Sequence, residues 1–263
     1  MTTSTVGPML RAWRSSRGKS QLALAVEAGV STRHLSFVET GRASPSREMV
    51  LTLAEHLDVP LRDRNALLEA AGFAAVFRET PLDAAAMSEV RGALGHILEA
   101  SEPNPTHPTL VVNRRYDILR ANEAAVNLLS FFAPAWKGKN NVVRMMLSPE
   151  GLRPAIVNWS EVAGHVLRRL RAELGAGVRD AEDDEIFALT AAEIPATHGT
   201  HPPSILVPLS LRRGKVSVDL FTTITTLGTP LDITLQELRI ETLFAADAAS
   251  RQVLETVVRG TRG

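Results

Sequence analysis

Residues 20–41, SQLALAVEAGVSTRHLSFVETG, decide the fold. Ser20 reads as an N-cap, because its hydroxyl can accept from a free backbone N–H of a helix's first turn. Leu22, Ala25 and Val26 then share one helical face, with the small Ala25 where two helices must approach closely. Gly29 supplies the positive φ that a short turn needs. Ser31 caps a second helix with Leu35 and Val38 on its inward side, and Gly41 ends it. Two short helices joined this way form a helix-turn-helix, whose second helix lies in the DNA major groove.

The flanks extend the motif into a bundle. Residues 8–17 predict a first helix with Met9, Leu10 and Trp13 inward and Arg11, Arg14 and Arg17 at three-residue spacing, a face suited to phosphates. Ser46 caps a helix over 47–57 with Met49, Val50, Leu53, Ala54 and Leu57 inward. Pro60 opens another helix through Ala71, packed by Leu61, Leu67 and Leu68 and stopped by Gly72. That makes five helices in the first 75 residues. On the reading helix, Ser31, Thr32, Arg33 and Ser36 lie away from Leu35 and Val38 and face base edges. Arg33 is the candidate for a guanine O6/N7 contact. His34 reaches a base or a phosphate, and Phe37 either meets a thymine methyl or packs on the fourth helix. Lys19, Ser20, Arg42 and Arg47 are candidate phosphate partners.

Charge supports this placement. The chain of 263 residues has a formal net charge of zero, yet its first fifty residues hold seven Lys or Arg against three Glu. The next fifty reverse the sign, with eight acids against four arginines. A basic front on a neutral chain fits a DNA-reading module attached to something else. With no cysteine, disulfides, iron–sulfur clusters and thiol catalysis are excluded, and a reducing cytoplasm fits. No signal peptide or membrane span is expected from the apolar runs.

Beyond residue 75 the pattern changes. Residues 73–81, FAAVFRETP, read as an apolar connector, followed by a helix over 83–100 and a break at SEPNPTHP. Strands are expected at 109–113 and 116–120, turned by Arg114 and Arg115. Helices follow at 123–129 (capped by Asn122), 141–147, 158–174 and 180–194. Strands return at 204–212, 215–227 and 238–244, and Asp247 caps a last helix over 248–258. The second half therefore predicts an α+β domain, an antiparallel sheet of about five strands with helices on one face.

Two resemblances sharpen the reading. Gln21, Ala25, Gly29, Val30, Leu35 and Val38, with ETGRASPS over 39–46, resemble the repressor-type helix-turn-helix of the XRE and Cro/cI families. That resemblance implies a five-helix, lambda-repressor-like bundle and a phosphate contact from Gln21. LVVNRRYDILRAN (110–122), NVVRMMLSPEGLRPAIVNWSEV (141–162) and FTTITTLGTPLDITLQELRIETLFAAD (221–247) resemble the ligand-binding domain of MmyB-like (MltR-type) transcription regulators. PLRDRNALLEAAGF and ETPLD, between the two halves, are similar to that family as well. The resemblance implies a PAS-like domain that takes fatty-acid-like apolar ligands, and no cofactor. The chain then divides into a DNA-binding domain (1–75), a connector and helix (76–104) and the PAS-like ligand-binding domain (105–263).

The residues offer a counterpart to that ligand. Phe131, Phe132, Val143, Met145, Met146, Trp159, Val162, Val166, Phe187, Phe221, Ile224 and Phe244 are large or adaptable apolar side chains in short amphipathic pieces. They suit either a pocket for a flexible chain or a filled core. Arg144, Asn158, His165 and Arg169 could meet a carboxylate at the mouth of such a pocket. No enzyme is expected: His198 and His201 lack a third metal ligand at good spacing, and no nucleophile elbow or phosphate loop occurs. One helix-turn-helix contacts a short half-site, so a homodimer on an inverted repeat in double-stranded DNA is expected. The competing reading makes the second half a protein-interaction and dimerisation module without a small-molecule pocket.

Overall fold

Three serines set the helix starts of the N-terminal region in the computed structural model, which describes residues 6–99, 107–174, 177, 179–193, 208–228 and 230–259. Ser20, Ser31 and Ser46 accept through their hydroxyls from the backbone N–H of Ala23, His34 and Met49 at 3.0, 3.1 and 3.2 Å. The helices are α1 (Val6–Ser16), α2 (Gln21–Glu27), α3 (Thr32–Glu39), α4 (Arg47–His56) and α5 (Leu61–Ala70). Gly29 turns α2 into α3 at φ +67°, a conformation in which a Cβ would be strained. Leu10, Leu24, Leu35, Leu53, Leu57, Leu67 and Leu68 are fully buried and form one cluster with Trp13 and Val38.

One facing differs from expectation. Leu22 and Val26 are 62% and 72% exposed, and Leu24 and Ala25 are the buried residues of α2. At about 100° per residue, Leu22 and Val26 each lie roughly 160° around the helix from Leu24, so the helix can bury one set only. The small Ala28 lies about 40° from Leu24 on the wheel, and Ala25 lies between that side and Leu22, so two small residues border the Leu24 side and allow close approach there.

The first compact unit consists of residues 6–80 together with Gly177 and residues 230–236. The connector after α5 is pinned by Asn65, whose side-chain oxygen accepts from the Val76 and Phe77 N–H groups and whose NH2 donates to the Phe77 carbonyl at 2.7 Å.

The second unit holds the described residues of 81–174, 179–228 and 237–259. After α6 (Ser88–Glu99) come β1 (Thr109–Val112), β2 (Ile118–Ala121), α7 (Glu123–Phe132), α8 (Val142–Leu147), α9 (Trp159–Leu174), α10 (Ala181–Glu193), β3 (Leu209–Arg213) and β4 (Val216–Thr225). A short helix, α11 (Ile233–Glu237), precedes β5 (Arg239–Ala245) and α12 (Ala248–Val258). The strands form one antiparallel sheet in the order β2-β1-β5-β4-β3. This is the expected α+β, PAS-like architecture, following a five-helix bundle in sequence. Residues 204–207 of the expected strand lie outside the described residues, as do His198 and His201.

The β1–β2 connection is longer than the sequence suggested. Asn113 accepts from the N–H of Arg115 and Asp117, and Tyr116 takes φ +66° within the turn, so β2 begins at Ile118. Asn141, fully buried, ties this turn to α8: its oxygen caps the Arg144 N–H, and its NH2 donates to the Arg115 carbonyl and the Asp117 carboxylate. Apolar residues of α7, α8, α9 and α12, among them Leu128, Met146, Val162 and Leu254, pack with Leu211, Leu220 and Leu243 of the sheet. A second cluster joins Leu110 and Val112 of β1 to Val143, Leu167, Leu170 and Ile186.

Candidate DNA-binding face and ligand cleft

The reading helix is locked from behind before it is offered to DNA. Glu39, at the C-terminal end of α3, is 4% exposed. Arg14 of α1 donates to it twice, through Nε at 2.7 Å and Nη2 at 2.9 Å, and Gln21 of α2 donates through Nε2 at 2.7 Å. Burial pushes the Glu39 carboxyl up, but these donors and the Arg14 charge outweigh burial and hold it below its ordinary value. One carboxylate thus joins α1, α2 and α3.

That lock redistributes the basic residues. Arg14 also donates to the Lys19 carbonyl, and Arg17 donates to the carbonyls of Leu57 and Asp58. Lys19 meets Glu27 at 2.5 Å and the His56 carbonyl at 2.9 Å. The Gln21 amide faces Glu39. These side chains hold the bundle, whereas Ser31, Arg33, His34, Arg42 and Arg47 are exposed and Thr32 and Ser36 half-buried. Arg33 lies over the half-buried Phe37, one turn along, at 5.4 Å from the ring centroid. Phe37 therefore acts as a platform for Arg33, a role that the i, i+4 spacing allowed but polarity alone did not signal.

In the second unit a cleft of about 430 Å3 opens beside β2. Its lining is Ile118, Leu119, Arg120 and Ala121 of β2 and Val126, Leu129, Ser130 and Ala133 on and after α7, with Trp136, Asn140 and Met145 closing it, so polar and apolar side chains share it. Its volume falls within the roughly 300–1,000 Å3 of small-molecule sites. The Trp136 indole N–H is buried and has no hydrogen-bond partner among the described residues. Gly138 lies under that ring: a Cβ there would come to 2.5 Å from it.

Of the twelve apolar residues singled out in the sequence, Met145 lines this cleft. The others do not converge on it. Phe132, Met146 and Val162 fill the main cluster with Phe131, Trp159 and Val166 packed at its margin, and Val143 is in the β1 cluster. Phe187 sits under Arg179 at 4.8 Å, Phe221 stacks on Phe244 at 5.3 Å, and Ile224 is 43% exposed. The physical reason is that periodicity marks which side chains leave water, and a filled core and a cavity wall leave the same mark. The candidate carboxylate donors are also engaged elsewhere. Arg144 pairs with Glu185 and Arg169 with Glu241, each at 2.8 Å, and Asn158 bridges Ser210 and Pro208. His165 is pushed down by burial and by Arg168 and Arg169. Of the cleft residues that sequence reasoning passed over, Ala133, Trp136 and Asn140 sit in the irregular 133–141 connection, where no periodicity points anywhere, and the rest lie on β2 and α7, whose patterns mark burial and not a void.

Among the described residues, no group of three or more His, Asp or Glu side chains is placed to hold a metal ion, and no helix is long and apolar enough to cross a membrane.

A capped, exposed reading helix on a five-helix bundle, followed by a PAS-like sheet domain with a cleft, defines a DNA-binding transcription regulator. The comparisons agree: residues 6–67 match the helix-turn-helix domain, and residues 90–257 match the MmyB-like transcription regulator ligand binding domain. The chain belongs to the MmyB-like transcription regulators. No curated protein sequence gives a significant match.

Proposed function

We propose that this regulator reads an inverted-repeat operator as a cytoplasmic homodimer and that a small apolar, fatty-acid-like ligand in the second domain controls it, with no catalytic role or cofactor. The reading helix would contact DNA through Ser31, Thr32, Arg33, His34, Ser36 and Phe37. Ser20, Arg42 and Arg47 would flank it at the phosphates, which Lys19 and Gln21 would reach only by leaving Glu27 and Glu39. The observation that carries the DNA half is the exposed Arg33 held over Phe37 on a helix locked by Glu39. The ligand half rests on the cleft beside β2, where Ile118, Leu129 and Met145 supply apolar wall and Arg120, Ser130, Asn140 and the Trp136 N–H, which has no partner among the described residues, supply polar groups.

Native mass spectrometry of freshly purified protein tests both the dimer and the retained lipid. A dimer mass carrying an extra few hundred daltons supports the reading; a bare monomer opposes it. Binding to the chain's own promoter DNA should weaken steeply with salt, as phosphate contacts require.

A further inference from the structure

Within the first unit, the start of α5 is finished by residues from far along the chain. The N-cap position is Pro60, which provides no side-chain hydrogen bond. The Leu61 N–H, one of the donors a helix start leaves unpaired, instead donates to Gln236 Oε1 at 2.7 Å. Four residues before Gln236, Asp232 accepts from Thr80 twice, from its N–H at 3.3 Å and its hydroxyl at 2.7 Å. The Ile233 N–H donates to the Arg78 carbonyl at 2.8 Å, and Arg78 and Asp232 form a parallel bridge. Residues 230–236 thus cap α5 and pair with the connector that Asn65 already holds to α5. In sequence they are the link from β4 to β5, two strands of the sheet that pair with each other. The next residue, Glu237, belongs to the second unit and faces Arg114 at 3.7 Å.

We propose that Gln236 and Asp232 are positioning residues of the DNA-binding unit, and that residues 230–236 are a strap that completes α5 and so steadies the reading helix. Leu67 and Leu68 of α5 lie in the same buried cluster as Leu35 and Val38 of α3, so a loosened α5 is felt at the reading helix. The functional half of this inference rests on the DNA-binding reading above; the structural half does not.

The test uses the full chain and residue-resolved amide exchange by NMR. Gln236→Ala should speed exchange at Leu61 by roughly five- to tenfold, the worth of one hydrogen bond, and leave Thr80 unchanged. Asp232→Ala, which also removes the acceptor of the Thr234 N–H in α11, should speed exchange at Thr80 more than at Leu61. Gln236→Glu, which keeps the acceptor, should restore Leu61. In the same samples Gln236→Ala should weaken promoter DNA binding severalfold, with Gln236→Glu restoring it. Unchanged exchange at Leu61 overturns the strap, and so does acceleration spread evenly over α1 to α5. Local acceleration with unchanged DNA affinity overturns its role in positioning. If the parent chain does not bind its promoter DNA at all, the proposed function fails while the exchange data still decide the strap.

Discussion

The Arg33 guanidinium rests 5.4 Å from the centroid of the Phe37 ring on the exposed side of α3. The ring restricts a long side chain that would otherwise lose its rotamer freedom on binding, so part of the ordering cost is met before DNA arrives. Arg33→Ala should therefore reduce discrimination between promoter DNA and a variant with a substituted guanine by about 1–3 kcal/mol. Phe37→Leu, which keeps bulk and removes the π face, should produce a smaller loss of the same kind. Fluorescence anisotropy against both duplexes measures it, and equal discrimination by Arg33→Ala and the parent would remove Arg33 from base reading.

The Arg14–Glu39–Gln21 lock predicts an acid limit. The folded Glu39 carboxyl lies below its ordinary value of 4.5, so the folded state holds fewer protons than the unfolded chain in the window between the two values. Its stabilisation is fully present above pH 4.5 and is lost as pH falls through the folded value. Urea midpoints followed from neutral pH downward should fall more steeply in the parent than in Glu39→Gln. Parallel curves would mean that Glu39 does not contribute to the acid limit.

Glycines separate close approach from mere helix content. A Cβ on Gly7 of α1 would press on the Val38 and Glu39 carbonyls, 2.9 Å from the latter oxygen. Gly7→Ala should cost about 1–3 kcal/mol, since backbone must shift to admit it. Gly92, on the exposed side of α6, has nothing within 4 Å of a built Cβ, so Gly92→Ala should stabilise by up to about 1 kcal/mol. Chemical denaturation of both variants gives the two signs.

What the sequence made legible follows from what periodicity and capping encode. Ser20, Ser31, Ser46, Asn122 and Asp247 are all caps in the structure, because a short acceptor before an apolar run has few other uses. The helix bundle and the strands of the sheet could be read from these starts. The inward face of α2 was misread at Leu22 and Val26 because a seven-residue helix offers two plausible apolar stripes, and only the partner helices decide between them. The α11 turn and the strap contacts escaped notice because Leu61 and Gln236 lie 175 residues apart, and nothing local in either stretch names the other. The apolar residues singled out in the sequence and the lining of the cleft share only Met145 for a related reason: a void has no residue of its own.

The misread helix yields a contrast. Leu22→Ser should change stability by no more than about 0.5 kcal/mol, as a surface substitution does, although leucine is the larger apolar loss on paper. Leu24→Ala, in a fully buried position, should cost about 2–5 kcal/mol. Equal effects would return Leu22 to the core.

The cleft predicts a ligand with a hydrogen-bond acceptor as well as an apolar body. The Trp136 N–H is buried without a partner among the described residues, and an orphaned donor of this kind costs roughly 1–3 kcal/mol. A ligand oxygen placed there recovers part of that cost, whereas a pure hydrocarbon does not. Dodecanoate added to delipidated protein should therefore bind more tightly than dodecane. Trp136→Phe should weaken dodecanoate by roughly fivefold to tenfold, the net worth of a hydrogen bond. Leu129→Trp, which adds bulk to a cleft of about 430 Å3, should weaken both compounds together. Titration calorimetry for dodecanoate and native mass spectrometry for dodecane separate these outcomes. If Trp136→Phe binds dodecanoate as the parent does while Leu129→Trp does not, the cleft is apolar recognition alone and the indole N–H plays no part. If neither substitution matters, the ligand lies elsewhere in the second domain.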